Sequence, residues 1–87
     1  MMETGQQQTI SQRVRECMVL ADAAITRLER EQYLAEAEGL KQVAAGQPAN
    51  VHQFQDTDRQ AAYERGRSDG MTLLKIHRGG PSHERTP

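Results

Sequence analysis

Apolar side chains recur at spacings of three and four residues from Ile10 to Leu28, which keeps them on one face of an α-helix. The steps alternate between four and three, as in the a/d seam of a coiled coil. The stripe consists of Ile10, Val14, Cys17, Ala21, Ala24 and Leu28, and it is broadened by Met18 and Ile25. This pattern predicts a helix with a continuous apolar face.

Local signals mark both ends of this first helix, called helix 1. Thr9 and Gln12 form a T-x-x-Q capping pattern at its start, and Gly46 followed by Pro48 supplies a stop. Helix 1 is therefore predicted over about residues 10–45, a rod of about 54 Å at 1.5 Å per residue.

The second half of helix 1 has a weaker pattern. Glu31 takes the next position of the stripe after Leu28, and the later apolar residues lie on a rotated face. Gly39 destabilises the helix by about 1 kcal/mol relative to alanine. The sequence leaves open a bend or break between Glu31 and Gly39, which would divide helix 1 into two elements.

A second helix, helix 2, is predicted over about residues 57–78. Thr57 and Gln60 repeat the capping pattern, and the run Gly79-Gly80-Pro81 is expected to end the helix. The chain ends lack apolar surface whose burial would offset the entropy of ordering them. The predicted organisation is a disordered head (1–8), one helical domain (9–79) with a loop (46–56), and a disordered tail (80–87).

Gly66 and Gly70 lie four residues apart, on one face of helix 2. Two glycines inside a helix cost about 2 kcal/mol relative to alanine, so a compensating contact is expected. We interpret the pair as a site where a neighbouring helix packs closely. The alternative is a frayed or kinked helix without a special contact.

Helix 2 is too short to cover helix 1. Folded back antiparallel, it would reach only to about Ile25, and the N-terminal part of the stripe would stay in water. Burying a large aliphatic side chain contributes about 1.5 to 3 kcal/mol, so a domain of 87 residues is expected to cover this stripe. A homodimer with a partial four-helix core is our first prediction. The alternatives are a different protein on the stripe, or a monomer whose broken helix 1 folds over itself.

Composition excludes several classes of protein. The net charge of −1 gives no general attraction to nucleic acid or to an anionic membrane. No apolar run approaches the ~20 residues of a membrane span, and no secretory signal is recognisable. Cys17 is the single cysteine, which excludes an internal disulfide and fits a reducing compartment. We therefore expect a cytoplasmic protein.

The candidates for catalysis are few. Cys17 lies in the apolar stripe, where a cysteine usually packs as an inert small hydrophobe. The histidines lack the short spacing of metal ligands, and a site built from His77, His83 and Glu84 is a minor alternative. We predict a non-enzymatic protein without catalytic residues, metal or cofactor.

Two further features are candidate recognition elements. The loop carries Val51, His52 and Phe54 where a wholly polar connection would suffice, although Val51 and Phe54 also suit a plug at the end of a hairpin. A basic strip on helix 2 would bind phosphates in an alternative, dimeric nucleic-acid regulator. That strip consists of Arg59, Arg65, Arg67, Lys75 and Arg78.

The sequence thus predicts an all-α helical hairpin with one long N-terminal helix, dimerising as a coiled coil or partial four-helix bundle. The predicted function is a small protein-binding module, an accessory factor or steric inhibitor of a larger protein, of the kind that phages and other mobile elements encode. The predicted interface is Ile10, Val14, Cys17, Met18, Ala21, Ile25 and Leu28.

Overall fold

The computed structural model describes the backbone of residues 9–84 and the side chains of residues 9–76. In this part of the chain all regular secondary structure is helical, which confirms the all-α class. The three helices are α1 (Ile10–Ala23), α2 (Arg27–Ala44) and α3 (Thr57–Glu84). The predicted disordered head, 1–8, and the end of the predicted tail, 85–87, lie outside the described residues.

The start of α1 confirms the capping pattern at Thr9. The Thr9 hydroxyl accepts a hydrogen bond from the backbone N–H of Gln12 at 3.1 Å, and the Gln12 side-chain oxygen accepts one from the backbone N–H of Thr9 at 2.8 Å. Two backbone donors at the helix start are thereby satisfied reciprocally.

The prediction of one helix over residues 10–45 is wrong, and the break does not lie between Glu31 and Gly39. The chain leaves the helix at Ala24, where ψ is 140°, and re-enters it after Thr26. The Thr26 hydroxyl accepts from the backbone N–H of Glu29 at 3.1 Å, and the Glu29 carboxylate accepts from the backbone N–H of Ile25 at 3.2 Å. These side chains satisfy donors at a new helix start, so the break requires neither glycine nor proline.

The end of α2 follows the predicted stop. Gly46 adopts a φ of +73°, a left-handed conformation that glycine adopts without steric penalty. Its N–H donates to the carbonyl of Val43 at 3.0 Å, and the N–H of Gln47 donates to the carbonyl of Gln42 at 2.9 Å. This is the hydrogen-bond pattern of a Schellman C-cap.

Both ends of α3 differ from the prediction. The start is capped by Asp56, whose carboxylate accepts from the backbone N–H of Arg59 at 3.0 Å, rather than by Thr57. The helix also continues through Gly79-Gly80-Pro81 to Glu84, so it is longer than the predicted 57–78. A proline removes one N–H donor and two glycines lower helix propensity, which weakens the helix without obliging it to end there.

The predicted antiparallel pairing of helix 1 with helix 2 is also wrong. Ala35 packs with Ala62, and Val43 lies beside Gly70, so α3 runs parallel to α2. The antiparallel hairpin is formed by α1 and α2, because Cys17 packs against Ala37 and Leu40. A parallel neighbour requires a long return connection, which residues 45–56 supply.

α2 lies between two small cores. On one side Cys17, Ala37 and Leu40 form a buried cluster against which Ile10 and Val14 pack. On the other side Ala35, Ala62 and Tyr63 form a buried cluster against which Phe54 packs. Four of the six buried side chains in these clusters are alanine or cysteine, so the helices approach one another closely and bury little large apolar surface.

Glycine allows the closest approach of α2 and α3. A Cβ atom on Gly66 would overlap the backbone carbonyl oxygen of Glu36, and one on Gly39 would overlap that of Tyr63. A Cβ atom on Gly70 would lie 3.0 Å from Cβ of Val43. Gly66 and Gly70 therefore both lie at a close helix contact, which matches the interpretation of their spacing.

Arg13 links all three helices. Its guanidinium lies 2.8 Å from a carboxylate oxygen of Glu16, 2.8 Å from one of Glu36 and 3.1 Å from one of Asp69. Burial alone would lower the pKa of Arg13, but the carboxylates, with Asp69 the largest contributor, raise it above its ordinary value. Arg13 therefore stays charged and joins α1 to both neighbours.

Candidate protein-binding surfaces

The corner between α1 and α2 presents an aliphatic side chain to solvent. Ile25 is 92 % exposed, although its backbone is fixed by the hydrogen bond to Glu29 and by the Thr26 cap that follows it. An exposed isoleucine contributes almost nothing to the folding of its own chain. Its position in an ordered corner makes it available to another surface without a large loss of conformational entropy.

Most of the exposed large apolar side chains lie in the last part of α1, in the turn, or at the start of α2. Among the described residues, eight large hydrophobic side chains are exposed, and the buried ones of comparable size are Leu40, Val43 and Tyr63. Five of the eight fall within residues 18–28, and they are Met18, Val19, Leu20, Ile25 and Leu28. We call these five residues the apolar corner.

The structure divides the predicted interface into three groups. Cys17 and Ala21 are buried within the chain, because α1 folds back onto α2. Ile10 and Val14 are half-buried and line an open groove of about 450 Å³ between α1 and the end of α2. Met18, Ile25 and Leu28 are exposed. The uncovered stripe that motivated a homodimer is thus partly covered by the chain itself, as in the monomer alternative.

Cys17 is packed as a core residue. Burial raises the pKa of its thiol, the Glu36 carboxylate raises it further, and Arg13 offsets only part of the shift. A buried thiol with a raised pKa is protonated at neutral pH and a poor nucleophile. In the described part of the chain no group of three or more histidine, cysteine or acidic residues could hold a metal ion. The side chains of His77, His83 and Glu84 lie outside it.

The connection between α2 and α3 is held by side-chain amides. Gln42 donates to the side-chain oxygen of Gln53 at 3.2 Å and accepts from the Tyr63 hydroxyl at 2.5 Å. That hydroxyl accepts from the backbone N–H of Asn50 at 3.1 Å, and the Asn50 carbonyl accepts from the Gln60 amide at 3.2 Å. The connection is therefore an ordered segment rather than a loose link.

The three predicted loop residues have different surroundings. Phe54 packs against the Tyr63 core, with the two ring centroids 5.9 Å apart in an edge-to-face arrangement. Val51 is 67 % exposed and His52 is also exposed. Phe54 is thus the plug of the alternative interpretation, whereas Val51 and His52 remain accessible.

The basic residues of α3 do not form one uniform strip. Arg59 lies 3.4 Å from Asp56 and 3.7 Å from Glu31, and its guanidinium lies 5.4 Å from the centroid of the Phe54 ring. Arg67 is partly buried, whereas Arg65 and Lys75 are exposed. The Arg78 side chain lies outside the described residues. Of the predicted strip, two side chains, those of Arg65 and Lys75, are therefore exposed in the described part of the chain.

Two groups of residues were not recognised in the sequence. Thr26 and Glu29 form a T-x-x-E capping pattern that identifies the apolar corner as a helix start, and this signal was available. Gln42 carries no such signal, because its partners are distant in the sequence, and the capping pattern of Thr57 and Gln60 does not indicate the hydrogen bond from Gln60 to Asn50.

The chain matches no protein-family model, no curated protein sequence and no solved structure. No helix in the described range is both long enough and apolar enough to cross a membrane.

Proposed function

We propose that this chain is a small non-enzymatic protein-binding module, which acts as an accessory factor or steric inhibitor of a larger protein through the apolar corner. The observation that carries the proposal is the 92 % exposure of Ile25 in a capped, ordered turn. A larger protein that covers this side chain gains about 2 kcal/mol, or about 30-fold in affinity.

The distribution of apolar residues supports this choice. Single exposed hydrophobic residues are common on protein surfaces, but clusters of them mark interaction sites. Five of the eight exposed large hydrophobic side chains belong to the apolar corner, and four of the eight buried hydrophobic residues among the described ones are alanine. A second copy of the chain could bind the same surface, and this would give a homodimer.

Affinity capture with matched variants tests the proposal. The tagged wild-type chain, Ile25→Asp and Met71→Asp are used to capture proteins from nuclease-treated lysate of the source cells, and the eluates are compared by mass spectrometry. Met71 is an exposed apolar residue on α3 and serves as the control. We expect the wild type and Met71→Asp to capture one protein in stoichiometric amount, and Ile25→Asp to fail to capture it.

Two results would contradict the proposal. Capture of the same proteins in the same amounts by all three chains would exclude the apolar corner as the binding surface. Recovery of nucleic acid alone from untreated lysate, with binding that falls steeply as salt rises, would favour the nucleic-acid alternative.

A further inference from the structure

A shallow pocket lies between the connection and α3, away from the apolar corner. It has a volume of about 210 Å³ and is lined by Ala49, Asn50, Val51, Tyr63, Glu64 and Arg67. Arg67 contacts Gln42, which lies about 24 Å along α2 from Thr26 at 1.5 Å per residue. The pocket is therefore separate from the surface that carries the proposed function.

Arg67 has an unusual environment for a partly buried arginine. Arg13 and Arg59, which are also partly buried, each have carboxylate oxygens within 4.0 Å. Among the side chains that the structure describes, no carboxylate approaches Arg67 within that distance, and its one hydrogen bond is to the Gln42 side-chain oxygen at 3.4 Å. A guanidinium has five N–H donors, so most of its capacity to bind an anion is unused.

The hydrogen bonds around Gln42 fix the orientation of the amide that contacts this guanidinium. The Gln42 oxygen accepts from the Tyr63 hydroxyl, and the Gln42 amide nitrogen donates to Gln53. The amide is thereby oriented with its oxygen toward Arg67. An anion that binds here meets a positioned donor and loses less conformational entropy than with a free surface arginine.

The rest of the pocket surface is mainly apolar, and hydrogen bonds also hold the segment that forms it. Asn50 is held by Tyr63 and Gln60, which positions the exposed Val51 beside the Tyr63 ring. A volume of about 210 Å³ accommodates one aliphatic side chain, since benzene fits a protein cavity of about 150 Å³. Glu64 also lines the pocket, and its carboxylate accepts a hydrogen bond from the Gln60 side chain at 2.9 Å.

We propose that this pocket binds an aliphatic carboxylate, first of all the C-terminal leucine, isoleucine or valine of a partner chain, with its carboxylate on Arg67 and its side chain against Ala49 and Val51. In such a residue the two groups share one Cα atom, so one small pocket contacts both. A small free branched carboxylic acid offers the same chemistry.

Titrations followed by amide NMR shifts of Val51 and Arg67 test this assignment. The probes are a short peptide ending in Gly-Ser-Gly-Leu with a free carboxylate, the same peptide with a C-terminal amide, and 4-methylpentanoate. We expect the free-acid peptide to bind and the amide to bind at least about 10-fold more weakly. Binding of 4-methylpentanoate alone would assign the site to a small acid. Equal binding of acid and amide, or no binding of any probe at about 10 mM, would overturn the proposal.

Substitutions of two arginines on α3 provide a second test of carboxylate binding. Arg67→Gln is expected to weaken binding at least about 10-fold, and Arg65→Gln, an exposed arginine on the same helix, to leave it unchanged. Arg67→Lys retains the charge without the planar fork and is expected to be intermediate. Equal losses in Arg67→Gln and Arg65→Gln would overturn the proposal. If Arg67→Gln loses helicity, the acid-against-amide comparison on the wild-type chain decides. Ile25→Asp is expected to titrate as the wild type does, which keeps this test independent of the proposed function.

Discussion

The backbone carbonyl oxygen of Glu36 occupies the space in which a Cβ atom on Gly66 would lie. α2 and α3 therefore meet at a point where only glycine, which lacks a Cβ atom, leaves room for the neighbouring backbone. The parallel pairing of these helices depends on this close contact. The destabilising effect of glycine on α3 is offset by this contact.

The first prediction concerns the sign of a glycine substitution. Gly66→Ala is expected to lower the free energy of unfolding by about 2 kcal/mol, because overpacking outweighs the gain in helix propensity. Gly70→Ala is expected to have a smaller effect, since only the Val43 side chain must move. Urea denaturation measures both, with Ser68→Ala as an exposed control on the same helix. A helix without the close contact would instead be stabilised by Gly66→Ala by about 1 kcal/mol.

The second prediction concerns the charged link between the helices. Arg13→Gln leaves the Glu36 carboxylate, whose side chain is 13 % exposed, without its cation, and is expected to cost about 2 kcal/mol. Arg15→Gln alters an exposed arginine of the same helix and is expected to change stability by less than about 0.5 kcal/mol. Adding Glu36→Gln to Arg13→Gln is expected to restore part of the loss. Equal stabilities of Arg13→Gln and Arg15→Gln would contradict this role of Arg13.

The third prediction follows from the raised pKa of the Cys17 thiol. Above about pH 8.5 the unfolded chain loses the thiol proton while the folded chain retains it, so the free energy of unfolding falls as pH rises toward the folded pKa. The slope from one proton is at most about 1.4 kcal/mol per pH unit. Denaturation between about pH 7 and pH 10 is expected to show a steeper alkaline loss for the wild type than for Cys17→Ala. Parallel curves would show that the thiol pKa is unchanged by folding.

The fourth prediction concerns the helix break. Thr26→Ala removes the hydroxyl that accepts from the Glu29 N–H and is expected to lower stability by about 1 kcal/mol. Thr72→Ala, on the exposed surface of α3, is expected to be neutral or slightly stabilising. A continuous helix through residue 26 would instead be stabilised by Thr26→Ala.

Interactions between residues that are close in the sequence could be predicted from it, whereas contacts between distant residues could not. The Thr9 cap and the Gly46 stop are local signals, and both were recognised. The Thr26 cap is equally local, but the apolar stripe continues through it, so periodicity concealed the break. The all-α class follows from the same periodicity.

Topology and the candidate sites required contacts between distant residues. The parallel course of α3 depends on the close contacts at Gly39 and Gly66, whereas the spacing of Gly66 and Gly70 indicates close packing but not direction. The exposure of Ile25 follows from the break at Thr26, and the pocket at Arg67 follows from the hydrogen bonds of Gln42. Arg67 was identified only as a member of a basic strip, since nothing in the sequence separates it from Arg65.

Site-specific photo-crosslinking at residue 25 detects whether a larger protein binds at the apolar corner in cells. A photoreactive phenylalanine analogue replaces Ile25 in one chain and Arg30, an exposed residue of α2, in a control. Both are irradiated in the source cells and resolved by mass. We predict one discrete crosslinked species from residue 25 that residue 30 does not give, with a mass well above twice 9.8 kDa for a larger partner. Absence of any crosslink from residue 25, or the same mixture from both positions, would contradict the claim.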